Sequence, residues 1–516
     1  MLYLYKNRGC IMNNNYDVIV VGAGNSGLIS ALSLINDGKK VLLLDDHNQI
    51  GGQSPCTLKG RFEFLTSFQQ LYLNKNSDEK YKLSNIIKRC GTTEDIEWSP
   101  VEGLFRIITP TKDIFMPTGI ENYIEAIEKY VPGSRNSVTD FINLALECRE
   151  ALDYIYKKSD NIDYDYIKSE YNNFMHVSDY TLSIVLDSLG IPVEAQEIIN
   201  ALWIYLGSSE TELSFITYAV FLINLIEYGI KVPTYGNYDI ASFIANNFLE
   251  RGGKIRLNSK VVKLIIDDNK INGVTLEDGT NYYCDKVIIN SSMSNVYNKL
   301  LNHKEVPKQA LKALNVREHG AKVLTINLGL NRSNIELGLQ NYMYLIYQSL
   351  DTDVLYNSMR DKNHKNIIAY VHNNANKYAS PDGTCLISLY AVYFSDCFGS
   401  ILNTENYFNE IHMMANSIIK NFENSTGVKI SNYIEEIEIK SPLSLAAITD
   451  SPEGNSYGYT LSKNDDLLPR MLNKNNESYI EGLEICNGFD CDAYGYASSF
   501  MSGIDSAIAI QKERRR

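Results

Sequence analysis

A β-branched run, Asp17-Val18-Ile19-Val20-Val21, ends abruptly in Gly22-Ala23-Gly24-Asn25-Ser26-Gly27. The run reads as a strand buried on both faces. Beyond the glycines, Leu28, Ala31, Leu32 and Ile35 recur at helical spacing, and Gly38 stands where a helix would stop. Residues 40–44 (KVLLL) then supply a second buried strand, closed by Asp45 and Asp46. Strand, tight turn, helix and strand over so short a stretch impose a right-handed parallel crossover.

Each glycine has its own physical task. Gly22 permits the tight turn, Gly24 lets a diphosphate approach the backbone, and Gly27 lets helix and strand pack closely. The helix start offers unpaired N–H groups and the positive end of its dipole to the phosphates. Asp45, at the end of the second strand, is placed to accept hydrogen bonds from ribose hydroxyls. Residues 17–52 are therefore expected to hold the ADP half of a dinucleotide. The glycine pattern alone does not separate NAD from FAD; the further pair Gly51-Gly52 favours the flavin. On this reading Gly24→Val fills the diphosphate space with only a modest effect on folding.

The 516 residues exceed the size at which one core usually stops growing, so two domains are expected. From about Gly119 to Tyr228 helix follows helix, an insertion suited to covering a substrate. A further helix over 239–252 closes at Gly252 and Gly253. Strands are expected within 254–266, 270–279 and 286–290, with a hairpin turn at Asp278-Gly279. Strands alternate with helices over 321–440, and a last helix begins near Ala497.

The formal charge of −14 opposes nucleic acid as a partner, because phosphate binding needs clustered Lys and Arg. Nine scattered cysteines with no C-x-x-C pair read as reduced thiols, with neither a disulfide framework nor a metal site. Residues 1–11 read as a disordered extension lacking the pattern of a signal peptide. The most apolar stretch, 215–230, contains Asn224 and Glu227 and is too short for a membrane span, which needs roughly 20 apolar residues. It is expected to be a buried helix, with a peripheral membrane contact as the minority reading. A cytoplasmic protein, or one peripheral to the inner face of the membrane, follows from these readings.

Several segments, in order, resemble the flavin-dependent phytoene desaturase superfamily, in the branch of carotenoid isomerases and retinol saturases. They are DVIVVGAGNSGLISALSL, VLLLDDHNQIGGQ and RFEFLTSF, then PTYGNYDIASFIANNFLERGGKIRLNSKVVKL, INGVTLEDG and KVIINSS. Two carboxy-terminal blocks, KSPLSLAAITDSPEGNSYGY and GLEICNGFDCDAYGYASSFMSGIDSA, complete the set.

The resemblance implies an α/β (α+β overall) fold of amine-oxidase-like flavoprotein architecture. In it a Rossmann-like FAD-binding domain is interleaved with a mainly helical and mixed-sheet substrate domain. The flavin domain is expected to comprise 12–115, 233–293 and 445–516, and the substrate domain 116–232 and 294–444. By position, Gly22, Ala23, Gly24, Asn25, Ser26 and Gly27 would hold the diphosphate, and Asp45 with Asp46 the ribose end. Gly51, Gly52 and Gln53 would pass close to the cofactor, and Val261 would face the adenine. Gly488 and Asp490 would border the flavin, and Gly495, Tyr496, Ala497 and Ser498 would begin a helix under its ring.

Two positions depart from the family pattern. Gln53 stands where Arg is common, with Arg61 the cation that could replace it, and Asn487 stands where Gly is usual. Tyr457, Tyr459 and Asp490 fall in flavin-facing segments, yet no side chain is assigned a catalytic role. His47 reads as a surface loop residue and His372 as a strand residue.

The implied activity is FAD-dependent redox chemistry at carbon–carbon double bonds of an apolar polyene or isoprenoid-like substrate: desaturation, saturation or isomerisation. NAD(P)H is a candidate electron donor. An amine-oxidase-like enzyme and a catalytically silent flavoprotein are the alternatives.

Overall fold

The structure, a computed structural model, describes residues 16–52, 56–65, 72–73, 88, 96–158, 161–302, 304–315, 317–394, 397–399, 406–456, 458–461, 480–487 and 495–512. The opening motif folds as its sequence dictates. β1 (Val18–Val21) leads through the glycine turn into α1 (Asn25–Asn36), and β2 (Val41–Leu44) returns parallel to β1. Gly38, at φ 78, ends the helical stretch as expected.

β1 and β2 lie in a five-stranded sheet of order β10-β2-β1-β14-β20, whose paired strands all run parallel. Here β10 is Lys254–Arg256, β14 is Val287–Asn290 and β20 is Leu483–Cys486. The chain leaves β1 on the β2 side and later returns on its other flank as β14. That reversal opens a crevice beyond the carboxyl ends of β1 and β14, the usual ligand position in sheets of this kind.

Period-two alternation assigns the two faces of this sheet. Val18, Val20, Leu43 and Ile288 pack with Leu28, Leu32, Ile244, Phe248 and Phe500, which come from α1, the helix Asn237–Glu250 and the last helix, Tyr496–Ala509. Ile19, Leu42, Leu44, Val287 and Ile289 instead face an antiparallel sheet of β11 (Val261–Asp267), β12 (Lys270–Leu276) and β13 (Asn281–Tyr283). The stretch 254–266, read from sequence as one strand, is two. Asn258 adopts φ 51, and that left-handed turn sends β10 to one sheet and β11 to another. The expected hairpin turn is present, with Gly279 at φ 83 between β12 and β13.

A second, seven-stranded sheet has the order β19-β15-β18-β17-β16-β7-β8. Its strands are β7 (Phe105–Ile108), β8 (Asp113–Met116), β15 (Lys322–Leu330), β16 (Met343–Ile346), β17 (Ile367–Val371), β18 (Cys385–Tyr393) and β19 (Ile434–Lys440). The hairpin 105–116 was assigned from sequence to the first flavin segment. β7 pairs instead with β16, because its burial requires an apolar sheet partner that lies far along the chain.

One face of the large sheet shares a core with the helices of 120–228, through Met343, Leu345, Tyr370 and Tyr390 against Phe141, Trp203, Phe215 and Ile223. The other face packs on the helix Tyr407–Thr426. Two small elements complete the described strands. The hairpin of β3 (Cys56–Lys59) and β4 (Phe62–Leu65) sets Phe62 and Phe64 against Leu386. A three-stranded ribbon joins β5 (Tyr72–Leu73), β9 (Ile230–Pro233) and β6 (Trp98–Pro100).

The apolar stretch at 215 is the buried helix Phe215–Tyr228, and its polar residues have partners. Arg149 of the helix Arg135–Lys158 places Nη1 2.5 Å from Glu227 Oε2 and 3.3 Å from Asn224 Oδ1. Among the described residues no helix is long and apolar enough to cross a membrane.

The last helix crosses α1 at very short range. A methyl group at Gly503 would collide with the Ser26 carbonyl oxygen and the Ile29 side chain, and Ser30 Oγ lies 2.8 Å from the Gly503 carbonyl oxygen. Gly503→Ala gains up to about 1 kcal/mol of helix propensity, but the overpacking should outweigh this, at roughly 1–3 kcal/mol. The expected result is a lower urea midpoint at unchanged slope; an equal or higher midpoint would show that the two helices can separate without loss.

Candidate dinucleotide site

The carboxyl end of β1 meets three other pieces of backbone. Gly22, at φ 98, donates its N–H to Leu44 O at 2.7 Å, and an added Cβ would lie 2.7 Å from the Asn290 carbonyl oxygen. A Cβ on Gly27 would strike the Gly22 carbonyl oxygen, so α1 can start this close to the turn only with glycine there. Gly51 donates its N–H to Ala23 O at 2.9 Å, and a Cβ on Gly52 would come within 2.9 Å of Gly24 Cα. A Cβ on Gly24 would collide with Asn290 Oδ1. The two sequence glycine groups, 22–27 and 51–52, are thus brought together, with Asn290 as a third wall.

Helix α1 begins at Asn25 with Gly24 as its N-cap, no side chain capping it and no acid in its first turn. Its leading amides, which have no intrahelical partner, and its dipole favour an anion at this point. Asn25 Oδ1 is buried here without a hydrogen-bond partner. A narrow cradle at a bare helix start, with Ser26 buried beneath it, fits the diphosphate of a dinucleotide.

Asp45 is nearly buried, and its carboxylate already serves this chain. Oδ2 accepts from Ala23 N at 2.5 Å, Oδ1 accepts from His47 N at 2.8 Å, and His47 Nδ1 lies 3.3 Å from Oδ1. A carboxylate has about four acceptor positions. Three are used, which leaves room for one ribose hydroxyl. His47 Nδ1 also lies 2.7 Å from Asp46 Oδ1. Potential metal-ligand atoms of Asp45, Asp46 and His47 fall within 4.8 Å of one another, but the trio closes on itself as an ion pair.

Backbone bonds bring 256–261 alongside. Asp45 N donates to Arg256 O at 2.9 Å, Ser259 N to Asp45 O at 2.7 Å and Asn258 N to His47 O at 2.9 Å. Val261 begins β11 directly after this segment.

At the other end, Gly495 (φ 99) caps the last helix, which starts at Tyr496 with no side-chain cap and no acid in its first turn. Tyr496 is buried against Phe500, and Ser498 is partly exposed. Gln53, Gly488, Asp490 and Tyr457 lie outside the described residues. Asn487 is buried; its N–H donates to Ser502 Oγ at 3.2 Å and its Nδ2 to Ser291 O at 2.9 Å.

Other candidates are engaged elsewhere. Arg61 is held by both carboxylate oxygens of Glu435, at 3.0 and 2.7 Å. Tyr459 lies beneath the Arg317 guanidinium, 4.4 Å from the ring centroid, and against His319. His372 is not in a strand but opens a short turn after β17; its Nε2 lies 2.9 Å from Ser388 Oγ, and burial pushes its pKa down to about 4. Sequence reasoning missed Asn290, whose only local signal is a polar residue closing the apolar strand VIIN.

Two outcomes follow. Gly24→Val should abolish nucleotide binding and lower the melting temperature of the ligand-free protein only modestly, because its first contact is with Asn290 Oδ1, the movable end of a side chain. Full nucleotide affinity in the folded variant would overturn this placement of the phosphate. The hydrogen bond from His47 to Asp45, helped by the charge of Asp46, raises the imidazole pKa from 6.5 to about 9 against the opposing effect of burial. A raised folded-state pKa means the stabilisation is complete below pH 6.5 and is lost as pH rises through about 9. An NMR titration of His47 should show that high midpoint, and Asp45→Asn should return it toward 6.5.

A family model described as flavin containing amine oxidoreductase matches residues 25–388. The 4,4'-diapophytoene desaturase (4,4'-diapolycopene-forming) of Methylomonas sp is 26% identical over 62% of this chain and 62% of its own length. The chain thus spans about three fifths of that relative. The all-trans-retinol 13,14-reductase of Danio rerio is 24% identical over 96% of this chain and 86% of its own. Prolycopene isomerase 2, chloroplastic, of an Oncidium hybrid cultivar is 21% identical over 61% and 54%. These names fall in the superfamily that the ordered sequence blocks resemble.

Among solved structures, an oxidoreductase from Methanosarcina mazei has TM-score 0.60 at 15% identity, covering 94% of this chain and 99% of its own. Cyclohexylamine oxidase from Brevibacterium oxydans has TM-score 0.60 at 13%, covering 96% and 98%. The fold is therefore the expected α/β flavoprotein one. Matched over most of its length by the family model, this chain belongs to the flavin containing amine oxidoreductase family.

Proposed function

We propose that the chain is an FAD-dependent oxidoreductase acting on carbon–carbon double bonds of an apolar polyene or isoprenoid-like substrate. The observation that carries this reading is the glycine cradle, set at the bare start of α1 at the sheet's reversal point. The near full-length similarity to a protein named retinol 13,14-reductase points the chemistry toward polyenes.

On this reading Gly22, Ala23, Gly24, Asn25, Ser26 and Gly27 bind the diphosphate with backbone amides, and Gly51 and Gly52 close the cradle. Asp45 gives its remaining acceptor position to the ribose, while Asp46 holds His47 in place. Val261 borders the adenine, and the start of the last helix, Gly495–Ser498, turns its positive dipole end toward the flavin ring. The bound flavin supplies two-electron transfer. The protein's part is to hold the substrate against the ring and keep water out.

The core shared by the helices of 120–228 and the large sheet suits an uncharged substrate. Burial pushes the phenols of Tyr342, Tyr347 and Tyr390 well above their usual range, and His372 is held neutral. The flavin unit comprises 12–104, 233–293 and 445–516, with the hairpin 105–116 moved to the substrate unit on account of its pairing with β16.

NAD(P)H is the donor proposed for the saturating direction, since saturation consumes an electron pair that the substrate does not provide. A peripheral contact with the cytoplasmic face of a membrane would use the exposed Tyr164, Tyr180, Ile184 and Val193 of the helical segment.

Purified protein should be yellow, and mass spectrometry should find a polyene product that differs from its substrate in hydrogen count or double-bond geometry. Hydrogen peroxide released on amine turnover would favour an amine oxidase instead. A yellow protein that neither substrate class changes would be a silent flavoprotein, and a folded, colourless protein that refuses added FAD would overturn the reading altogether.

A further inference from the structure

Asn290 is the last residue of β14, and its partner across the parallel ladder is Cys486. Its position against the glycine turn is unusual in reaching every glycine of the motif. An added Cβ would lie 2.7 Å from the Asn290 carbonyl oxygen at Gly22, would collide with Oδ1 at Gly24, and would lie 3.1 Å from Asn290 Cβ at Gly27.

The orientation of this amide follows from its other contact. Asn290 Nδ2 donates to the Cys486 carbonyl oxygen at 3.0 Å. A carbonyl accepts only, so the NH2 group must face Cys486 and Oδ1 must face Gly24. The neighbouring residue of β20 answers in kind, since Asn487 Nδ2 donates to the Ser291 carbonyl oxygen at 2.9 Å. Asn487 N donates to Ser502 Oγ, which ties the same corner to the last helix. Two side-chain amides thus cross in opposite directions just where the β14–β20 ladder ends.

We propose that Asn290, in the corner that Asn487 ties to Ser291 and Ser502, is a positioning residue for the cofactor diphosphate. This rests on the flavin-binding reading above. Oδ1 is an acceptor and cannot bond a phosphate oxygen, so Asn290 acts through the loop. It backs Gly24 from behind and sets the direction in which the leading amides of α1 point. The side chain must be neutral to do so, because a carboxylate here would stand beside a dianionic ligand and would also lose its donor to Cys486.

The test uses the full chain and two pairs of probes: FAD against riboflavin, and ADP against adenosine. Within each pair only the first carries the diphosphate. Asn290→Asp should weaken FAD and ADP by about tenfold or more, as a like charge placed near the phosphates requires, and should leave adenosine unchanged by calorimetry. Asn487→Ala should weaken ADP in the same direction but less. If Asn290→Asp fails to fold, the ADP-to-adenosine comparison on Asn487→Ala decides alone.

Equal losses for ADP and adenosine, or no loss for either, would overturn the assignment and leave Asn290 a packing residue. A wild-type chain that binds neither FAD nor ADP would instead defeat the flavin reading itself. The two failures are therefore distinguishable.

Discussion

The structure is organised around the close approach of backbone to backbone at the end of β1. Side chains at positions 22, 27 and 52 would strike backbone atoms of this protein, and one at 24 would meet Asn290 Oδ1. The glycines are therefore required first by the fold. They let β2, β14 and the loop after β2 converge on one turn, and the surface they leave is made of backbone. A diphosphate suits that surface because amides are its main polar feature and no acid in the first turn of α1 competes with an anion. The sheet's register and the ligand cradle are two results of one steric constraint.

That constraint explains which parts could be read from the sequence. From β1 to β2 everything is local: an apolar run, glycines, a periodic helix and an acid at the strand end, each with its own signature. The last helix was legible from its start, but the reason for Gly503 was not. Only the folded chain shows that it meets Ser26 and Ile29 some 474 residues away in sequence. Asn290 was invisible for the same reason, since a polar residue ending a strand has many ordinary explanations. The break at Asn258 had one local mark, an Asn in a polar Asn-Ser-Lys step, the kind of residue that tolerates positive φ. The pairing of β7 with β16 was not legible because sheet partners are chosen by burial, and β16 lies more than 200 residues on.

The substrate side obeys different rules. The large sheet is apolar on both faces because helices cover both, so β15, β17 and β18 read as continuous buried runs without alternation. Tyrosines lie within this core, and several make contacts inside it; Tyr205 and Tyr370 hydrogen-bond to each other through their hydroxyls. Burial raises the pKa of the Tyr342, Tyr347 and Tyr390 phenols. Of the charges in the helical segment, Arg149 is paired with Glu227.

Asp45 joins the two halves of the argument. An acid ending the second strand is ordinarily read for its ligand, yet here one oxygen holds the Ala23 amide and the other holds His47. Removing the carboxylate would leave a buried amide in the glycine turn without its partner, which costs about 1–3 kcal/mol by itself. Any loss of cofactor on such a change would then mix a missing ribose contact with a displaced turn. The aspartate is one methylene shorter than a glutamate and reaches its own backbone first. The cradle is consequently braced before a ligand arrives, with protonated His47 compensating the charge that the brace buries. On the proposed reading, cofactor affinity would depend on an ion pair lying outside the diphosphate cradle, as well as on the groups that would touch the cofactor.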